Sequence, residues 1–330
     1  MKISEVAALA GVSPAAVSRY FNGGYLSDEK KKKIEEVVSK TGHVPSSSAQ
    51  SLRTKKNLII GVIVPKISSE SVSKMVNGIT KALEGSKYSL ILANTDNAYD
   101  KEVDYLNIFQ TGNVDGVILT ATIFTPAHYK AMKKLGKPMV VLSQYTEKFS
   151  CVYNDDFHGA YYAVCHLIDK GCRKIAYIGV TKKDKAAGQD RYDGYIKALS
   201  DNGIKPDPVI IKEGTFNLAS GTARMREILE SSSRIDGVFC ATDSIAIGAM
   251  KVIKEFGLSI PDDIKIIGTG NTQMSELVTP SLSTVKLYYE TAGEEACKLL
   301  LEMMQGEKAF KQLRLGYRVI ERESTNVKQM

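Results

Sequence analysis

The sequence predicts an α/β protein, with an all-helical N-terminal segment joined to a body of two doubly wound parallel sheets. The first 45 residues carry helical patterns only. From Leu58 onward, short β-branched runs alternate with amphipathic segments, as in strands buried on both faces and separated by helices. About ten such units exceed one open sheet, and DGVIL at 115–119 is echoed by DGVFC at 236–240. We therefore expect two similar lobes, with a ligand cleft at the carboxyl ends of their strands.

The N-terminal segment begins with two short helices. The first has a single apolar face and ends at Gly11. Ser13 is placed to cap the second helix, and Pro14 is suited to its first position because proline has no N–H to satisfy. Val17 and Phe21 are four residues apart, so both side chains are expected to pack inward.

A third helix is predicted from Asp28 to Thr41, with acidic residues at its positive end. Its apolar stripe consists of Ile34, Val37 and Val38. Three short helices with a glycine turn between the first two make a helix-turn-helix.

The outer face of the second helix has the chemistry of a DNA-reading surface. Its small side chains let the backbone approach base edges, and Arg19 is placed to donate two hydrogen bonds to a guanine. A phosphate contact or a surface salt bridge is the alternative for Arg19. The residues expected to face DNA here are Ser13, Pro14, Ala15, Ala16, Ser18, Arg19 and Asn22.

The charge of the chain is concentrated in this segment. Residues 1–56 hold ten basic side chains and five acidic ones, so +5 of the formal +7 lies in about a sixth of the length. Such asymmetry indicates a polyanion-binding head on a near-neutral body. A solvated basic helix face is the alternative interpretation.

Composition excludes several other classes of protein. The chain has 330 residues, 43% hydrophobic and 25% charged, as in folded globular proteins. The apolar runs, such as 58–64, have the length of strands, and the N-terminus has no uninterrupted apolar region, so neither a membrane span nor a signal peptide is expected. Five scattered cysteines without a CxxC pair suit a reducing compartment. We expect a cytoplasmic protein with no membrane partner.

Enzymatic and metal-binding patterns are weak. GTGNTQ at 268–273 lacks the last glycine of a dinucleotide fingerprint, and no Walker motif is present. Cys165 and His166 point in divergent directions on a predicted helix, which argues against a zinc site formed with His158 and Cys172. Neither catalysis, a cofactor nor a bound metal is therefore expected.

Several segments resemble the LacI/GalR (lactose-repressor) family. ISEVAALAGVSPAAVSRYFN at 3–22 and GHVPSSSAQSLRTKKN at 42–57, followed by LIIGVIVP, are similar to the headpiece and hinge of that family. RYDGYIKAL, ATDSIAIGAMKVIKEFGLSIPDDIKIIG and TPSLSTV are similar to blocks of its body, so the resemblance covers nearly the whole chain.

This resemblance implies a domain organisation. Residues 1–45 would form the helix-turn-helix headpiece, 46–57 the hinge helix and linker, and 58–330 a bilobed, periplasmic-binding-protein-like body for effector binding and dimerisation. The N-lobe would comprise about 58–155 and 287–313, and the C-lobe about 156–286 and 314–330.

The hinge is too short to be helical alone, so it is expected to fold on DNA. In the family, paired hinge helices of a dimer enter the minor groove and a leucine opens the central base step. Leu52 matches that leucine, with Ala49 and Arg53 beside it. Packing of Leu52 against the body is the alternative. In the headpiece, Pro14 and Ala15 stand where family members often read bases with longer side chains.

The resemblance also implies a small effector in the cleft, mostly a saccharide or a nucleobase-like molecule. Arg191 offers a rigid fork to ligand oxygens, and Phe216 offers a flat face to a sugar ring. Ordinary loop or core roles are the alternatives. The matching positions are Ser69, Ser71, Val72, Gln144, Asp155, Arg191, Phe216, Asp243 and Asn271.

The sequence departs from the family where ligand chemistry is decided. A strand-end pair that is often two aspartates reads Gly270-Asn271 here. Lys182, Lys183 and Lys185 precede Arg191, which suits a phosphorylated sugar, although a charged loop is usually just solvated.

The resulting hypothesis is a homodimeric repressor of a carbohydrate-utilisation operon, bound to a palindromic operator in double-stranded DNA and controlled by a sugar or a sugar phosphate. Both an inducer and a corepressor role fit the resemblance. A sugar-binding receptor and a carbohydrate-metabolising enzyme, neither with a DNA role, are the alternatives.

Overall fold

The computed structural model describes residues 1–21, 24–42, 56–231, 234–307 and 310–326. The chain divides into two compact units, Met1–Leu58 and Ile59–Met330. Within the described residues, no helix is long and apolar enough to cross a membrane.

Within its described residues, the regular structure of the first unit is helical. Its helices are α1 (Ile3–Ala10), α2 (Pro14–Phe21) and α3 (Asp28–Thr41). Gly11 ends α1 with a left-handed φ of 62°, and the Ser13 hydroxyl accepts a hydrogen bond from the backbone N–H of Ala16 at the start of α2. Val17 and Ile34 are fully buried in the shared core. The predicted helix-turn-helix is confirmed.

Ala16 belongs to this core and not to the outer face of α2. It is 5% exposed, because positions 16 and 17 share one helical stripe with 20 and 21. The expectation that Ala16 faces DNA is therefore wrong. The exposed positions are Ser13, Pro14, Ala15 and Arg19, and Ser18 is half-buried. Four predicted DNA-binding residues lie outside the described residues: Asn22, Ala49, Leu52 and Arg53. The last three belong to the predicted hinge, whose helix is therefore not described either.

The second unit contains two six-stranded sheets. Its strands are β1 (Ile59–Val64), β2 (Ser89–Asn94), β3 (Gly116–Thr120), β4 (Met139–Leu142), β5 (Cys151–Asn154), β6 (Ile175–Val180), β7 (Ile211–Gly214), β8 (Gly237–Cys240), β9 (Lys265–Thr269), β10 (Ser283–Leu287), β11 (Gln312–Leu315) and β12 (Tyr317–Ile320). The first sheet has the order β11-β5-β4-β3-β1-β2 and is parallel throughout. The second has the order β12-β10-β9-β8-β6-β7, and β12 is its antiparallel strand.

Helices cover the faces of both sheets. They are α4 (Glu70–Ala82), α5 (Tyr99–Thr111), α6 (Pro126–Lys134), α7 (Asp156–Asp169), α8 (Arg191–Asp201), α9 (Leu218–Glu230), α10 (Asp243–Glu255), α11 (Gln273–Leu277) and α12 (Tyr289–Met304), with a π-helix at Lys185–Asp190 and a 3-10 turn at Pro208–Ile210. Val62 and Ile63 are adjacent in β1, fully buried, and belong to separate apolar clusters. Successive side chains of a strand point to opposite faces, so the apolar runs of the sequence reflect sheets covered on both sides. The predicted fold class is confirmed.

The structure adds detail that the sequence patterns did not show. PVII at 208–211 has the apolar, β-branched composition of a strand, but the Asp207 carboxylate accepts a hydrogen bond from Val209 N–H and holds a 3-10 turn, so β7 begins at Ile211. The chain passes between the sheets after β5, after β10 and at Gly316, between β11 and β12, a little beyond the approximate boundary drawn from the sequence.

Candidate functional site

A cavity of about 470 Å³ lies in the second unit, between the two sheets. Thr120 ends β3, Asn154 ends β5 and Thr269 ends β9, and all three line it. The carboxyl ends of strands from both sheets therefore converge on one space, which is where open α/β sheets bind ligands.

Most of the predicted effector-binding residues meet at this cavity. Those that line it are Ser69, Ser71, Val72, Gln144, Arg191, Phe216 and Asp243. Ser69 precedes α4, and its hydroxyl lies 2.9 Å from that of Ser71. Phe216 is 38% exposed, so its ring is accessible to a ligand.

Arg191 is held by an acidic partner that the sequence analysis did not select. Its Nε donates to Asp156 Oδ1 at 2.8 Å, its Nη2 lies 2.7 Å from the same oxygen, and its Nη1 donates to the carbonyl of Ala241. Burial lowers the pKa of Arg191, but Asp156 and Tyr289 outweigh this effect and raise the pKa above its ordinary value. The guanidinium therefore stays protonated and is held in one orientation. The Asp156 carboxylate balances its positive charge.

Asp243 is 1% exposed and is bound by hydroxyl and backbone donors. Its Oδ2 accepts from the backbone N–H of Thr272 at 2.8 Å and from its hydroxyl at 3.0 Å, and its Oδ1 accepts from the Thr284 hydroxyl at 2.5 Å. Burial raises the pKa of Asp243, and these donors oppose the rise. Asp243 fixes the strand-end loop around the cavity.

Asp184 also lines the cavity and was missed. It is 6% exposed and caps the π-helix, where its Oδ1 accepts from Ala187 N–H at 3.0 Å. The same oxygen accepts from Gln144 Nε2 at 2.8 Å, a bond between the two lobes. Burial raises the pKa of Asp184 to about 6. The lysines around it dominate the sequence pattern of this loop and gave no signal for a buried acid.

Four buried oxygen atoms of the cavity lining make no hydrogen bond among the described residues. They are Thr120 Oγ1, Gln144 Oε1, Asn154 Oδ1 and Thr269 Oγ1. A buried polar atom without a partner costs about 1–3 kcal/mol. The cavity is therefore suited to a ligand rich in hydrogen-bonding groups. Thr120, Asn154 and Thr269 could have been selected from the sequence as the last residues of buried strands.

Asp155 does not line the cavity, so the structure does not bring it together with the other predicted effector-binding residues. Its carboxylate caps α7 by accepting from His158 N–H at 3.2 Å, and it also contacts the His158 ring at 2.8 Å and Arg314 at 3.5 Å. A capping side chain folds back over its own helix, so the next residue, Asp156, points to the strand ends instead.

Asn271 also lies outside the cavity lining. Its backbone is left-handed, with φ of 49°, and its side-chain oxygen accepts from Arg322 Nη2 at 2.7 Å. Its neighbours Gly270 and Thr272 line the cavity in its place.

The three lysines of the loop before Arg191 are not part of the cavity lining either. Lys182 Nζ lies 3.2 Å from the centre of the Tyr192 ring, Lys185 pairs with Asp190, and Lys183 is exposed. The structure therefore does not place these lysines in the lining, where they would contact a sugar phosphate in the cavity.

Further bonds join the lobes beside the cavity. Lys74 Nζ donates to the carbonyl of Asn271 at 2.8 Å, and the Glu70 carboxylate accepts from Gln273 N–H at 3.0 Å. Both Glu70 and Lys74 belong to α4, which also carries Ser71 and Val72. These bonds tie α4 to the loop that follows β9 in the second sheet.

The candidate zinc residues are engaged separately. His158 contacts Asp155, and His166 Nε2 lies 2.9 Å from the Thr325 hydroxyl. Among the described residues, no group of three or more His, Cys, Asp or Glu side chains is arranged to hold a metal ion.

Comparison with known proteins gives the family. Residues 2–46 match the family model of bacterial regulatory proteins of the lacI family, and residues 164–325 match that of a periplasmic binding protein-like domain. Catabolite control protein A of Priestia megaterium is 32% identical, over 98% of each chain. The chain belongs to the lacI family of bacterial regulatory proteins. It is therefore a DNA-binding transcriptional regulator, as its helix-turn-helix predicts.

Two further proteins resemble it over most of its length. The ribose operon repressor of Halalkalibacterium halodurans is 33% identical over 92% of this chain and 90% of the relative. A solved structure of a lacI-family regulator from Enterococcus faecium, with bound ribose, is 33% identical and superposes with a TM-score of 0.72, over 81% of this chain and 98% of that one.

Proposed function

We propose that this lacI-family regulator is a homodimeric, cytoplasmic repressor of genes for carbohydrate use, without a catalytic step of its own. Residues 1–45 would bind a palindromic operator, and residues 46–57 would form the hinge that folds on it. The body, 58–330, would bind a sugar between an N-lobe (about 58–155 and 287–313) and a C-lobe (about 156–286 and 314–330).

The main support for a sugar effector is a set of buried oxygen atoms in the cleft that have no hydrogen-bond partner among the described residues. Thr120, Gln144, Asn154 and Thr269 each present a buried oxygen without a partner among the described residues. Thr120 and Asn154 end strands of the first sheet, Gln144 follows β4 of that sheet, and Thr269 ends a strand of the second, so a polyhydroxylated ligand would bond to both lobes at once. Phe216 would cover an apolar face of its ring. The operon repressor and the ribose-bound regulator among the relatives support the same class of ligand.

The charge and exposure of the headpiece support operator binding. Ser13, Pro14, Ala15 and Arg19 are exposed on one side of α2, while Val17 is buried. Small side chains beside a single arginine allow close approach to base edges. The +5 charge of residues 1–56 would supply the phosphate contacts.

Control would come from closure of the cleft. Ligand bonds to both lobes stabilise one lobe arrangement, and a ligand shifts an equilibrium only through such a difference in affinity. In a two-fold dimer, a lobe shift changes the spacing of the two headpieces and thereby operator affinity.

Titration calorimetry of the purified full chain with ribose, glucose, sucrose and cellobiose tests the effector class. We expect saturable binding of at least one of these sugars, and loss of that binding when Asn154 and Thr120 are both replaced by valine. Absence of binding across the panel would contradict the proposal.

Sequencing of genomic DNA fragments retained by the protein tests the regulatory role. We expect a palindromic site next to genes for carbohydrate uptake or breakdown. Repeating the capture with the bound sugar shows whether the effector releases the operator or strengthens binding. Retention of fragments without a shared site would exclude sequence-specific repression.

A further inference from the structure

The lining of the cleft carries an excess of negative charge. Among the described residues, four carboxylates line the cavity, against two basic side chains. The acids are Glu70, Asp156, Asp184 and Asp243, and the bases are Lys66 and Arg191. Glu70 pairs with Lys74 at 2.8 Å and Asp156 with Arg191, so among the described residues Asp184 and Asp243 are the lining acids without an ion-pair partner.

The one buried cation in this lining is already neutralised. Arg191 is 5% exposed, and Asp156 Oδ1 lies 2.7–2.8 Å from two of its nitrogens. A phosphate that approached the guanidinium would have to compete with this buried carboxylate. Arg191 therefore offers hydrogen bonds to a ligand, but little net positive charge.

Asp184 is not ion-paired in this way among the described residues, and Arg191 acts on it only from a distance, as an influence that lowers its pKa. Its hydrogen bonds, from Gln144 Nε2 and from Ala187 N–H, are both made to Oδ1 and both come from uncharged donors. Within the described chain, no basic side chain lies within ion-pair distance of it, and Oδ2 accepts no hydrogen bond. Asp184 Oδ2 is thus an ionisable acceptor left for a ligand in the cleft.

Independent features show that this space is built for a ligand. Asn154 Oδ1 and Thr120 Oγ1 belong to side chains that are 4% and 3% exposed, line the same cavity and have no partner among the described residues. These groups suit hydroxyls, which both donate and accept, and none of them adds positive charge.

We propose that the cleft selects an uncharged sugar over its phosphorylated form, and that Asp184 is the residue that discriminates between them. This inference rests on the proposed function and narrows its ligand class. Asp184 would accept a hydrogen bond from a sugar hydroxyl through Oδ2 and repel a phosphate placed nearby. At separations of about 5 Å in a partly desolvated site, this repulsion weakens binding roughly 100-fold or more.

Two variants separate the charge of Asp184 from its structural role. Asp184→Asn keeps an oxygen for Ala187 N–H and Gln144 Nε2 but removes the charge. Asp190→Asn is the matched control, because it removes the same charge at the other end of the π-helix that Asp184 caps, from a residue outside the cavity lining. Asp184→Ser serves as a second variant should the asparagine perturb the loop, and thermal midpoints report folding.

The experiment is titration calorimetry of the full-length protein and these variants with ribose, glucose and cellobiose, each compared with its monophosphate. We expect a free sugar to bind at least 100-fold more tightly than its phosphate. In Asp184→Asn, the free sugar should bind about 10-fold more weakly. The ratio of the dissociation constant of the phosphate to that of the free sugar should fall at least 10-fold. Asp190→Asn should change neither quantity.

Loss of the selectivity and loss of the sugar effector would give different results. A phosphate that binds as tightly as its free sugar, or a preference unchanged in Asp184→Asn and Asp184→Ser, would overturn this inference and leave the proposed sugar effector standing. Failure of every free sugar and every phosphate to bind would overturn the proposed function, and the inference with it.

Discussion

Gly78 and Gly293 face each other across the contact between α4 and α12. A Cβ atom on Gly78 would collide with the carbonyl oxygen of Glu290, and one on Gly293 with that of Met75. Each glycine thus receives the backbone of the opposite helix. Because Val72 and Met75 of α4 line the cavity, this close contact also sets the position of the cavity wall.

Gly78→Ala is therefore expected to force the helices apart. The added methyl group meets backbone atoms, which cannot move aside as a side chain can, so we expect a loss of about 2–3 kcal/mol in the free energy of unfolding. Urea unfolding measures this loss. Gly316→Ala is the control, since a Cβ there has nothing within 4 Å and its φ is not in the left-handed region. Equal stability of the two variants would contradict the prediction.

Arg191→Ala is expected to destabilise the body as well as to abolish effector binding. The substitution leaves the buried Asp156 without its cation, at a cost of about 3–5 kcal/mol. Adding Asp156→Asn should restore part of that stability, but not the effector binding. Denaturant unfolding of both variants checks this expectation. A double variant no more stable than Arg191→Ala alone would show that the pair is not coupled.

Asp184 is expected to make stability depend on pH. Burial raises its pKa to about 6, so the folded protein holds this proton more tightly than the unfolded chain, whose value is about 3.9. The stabilisation by the protonated group is complete below about pH 4 and is lost as the pH rises through 6.

The comparison with Asp184→Asn isolates this effect. The variant should match the wild type near pH 4 and exceed its thermal midpoint by several degrees at pH 7, for a free-energy difference of up to about 3 kcal/mol. Thermal melts from pH 4 to pH 8 measure the gap. If the difference in thermal midpoint between Asp184→Asn and the wild type does not change with pH, the pH dependence of stability comes from another group.

Operator affinity is expected to fall steeply with salt. The +5 charge of residues 1–56 predicts several phosphate contacts and a log–log slope of roughly −4 or steeper. Fluorescence anisotropy at increasing potassium chloride measures this slope. Residues 57–330 alone should not bind DNA, and binding by that fragment would refute the prediction.

Leu52→Ala tests the hinge, which lies outside the described residues. Loss of a minor-groove wedge should weaken operator binding by about 1–3 kcal/mol and reduce DNA bending, while effector affinity stays unchanged. Gel phasing measures the bend. A wild-type bend with the variant would support packing of Leu52 against the body instead.

Periodicity predicted the headpiece well because its core is formed by neighbours in sequence. Val17 and Ile34 lie on short helices whose apolar stripes are visible in the sequence, and both are fully buried. Ala16 was misassigned because alanine is small enough for either a core or a DNA-facing surface, and only packing between helices decides which.

The cleft was predicted in outline but not in its details. The family resemblance pointed to Gln144 and Asp243, which line the cavity, and to Asp155 and Asn271, which a helix cap and a left-handed backbone keep out of its lining. These choices depend on local hydrogen bonds to His158 and Arg322, which no residue pattern specifies. Asp184 reaches Gln144 from the other lobe, 40 residues along the chain, so their contact is a property of the assembled fold.

The place of β11 and β12 in the two sheets also has a consequence for synthesis. They are outer strands of the first and the second sheet, respectively, and follow all the other described strands in the chain. Until the ribosome has released both, a nascent chain presents two open sheet edges, which are sites of aggregation and mispairing. A stop codon anywhere before residue 312 would therefore damage both lobes at once and would not leave one intact.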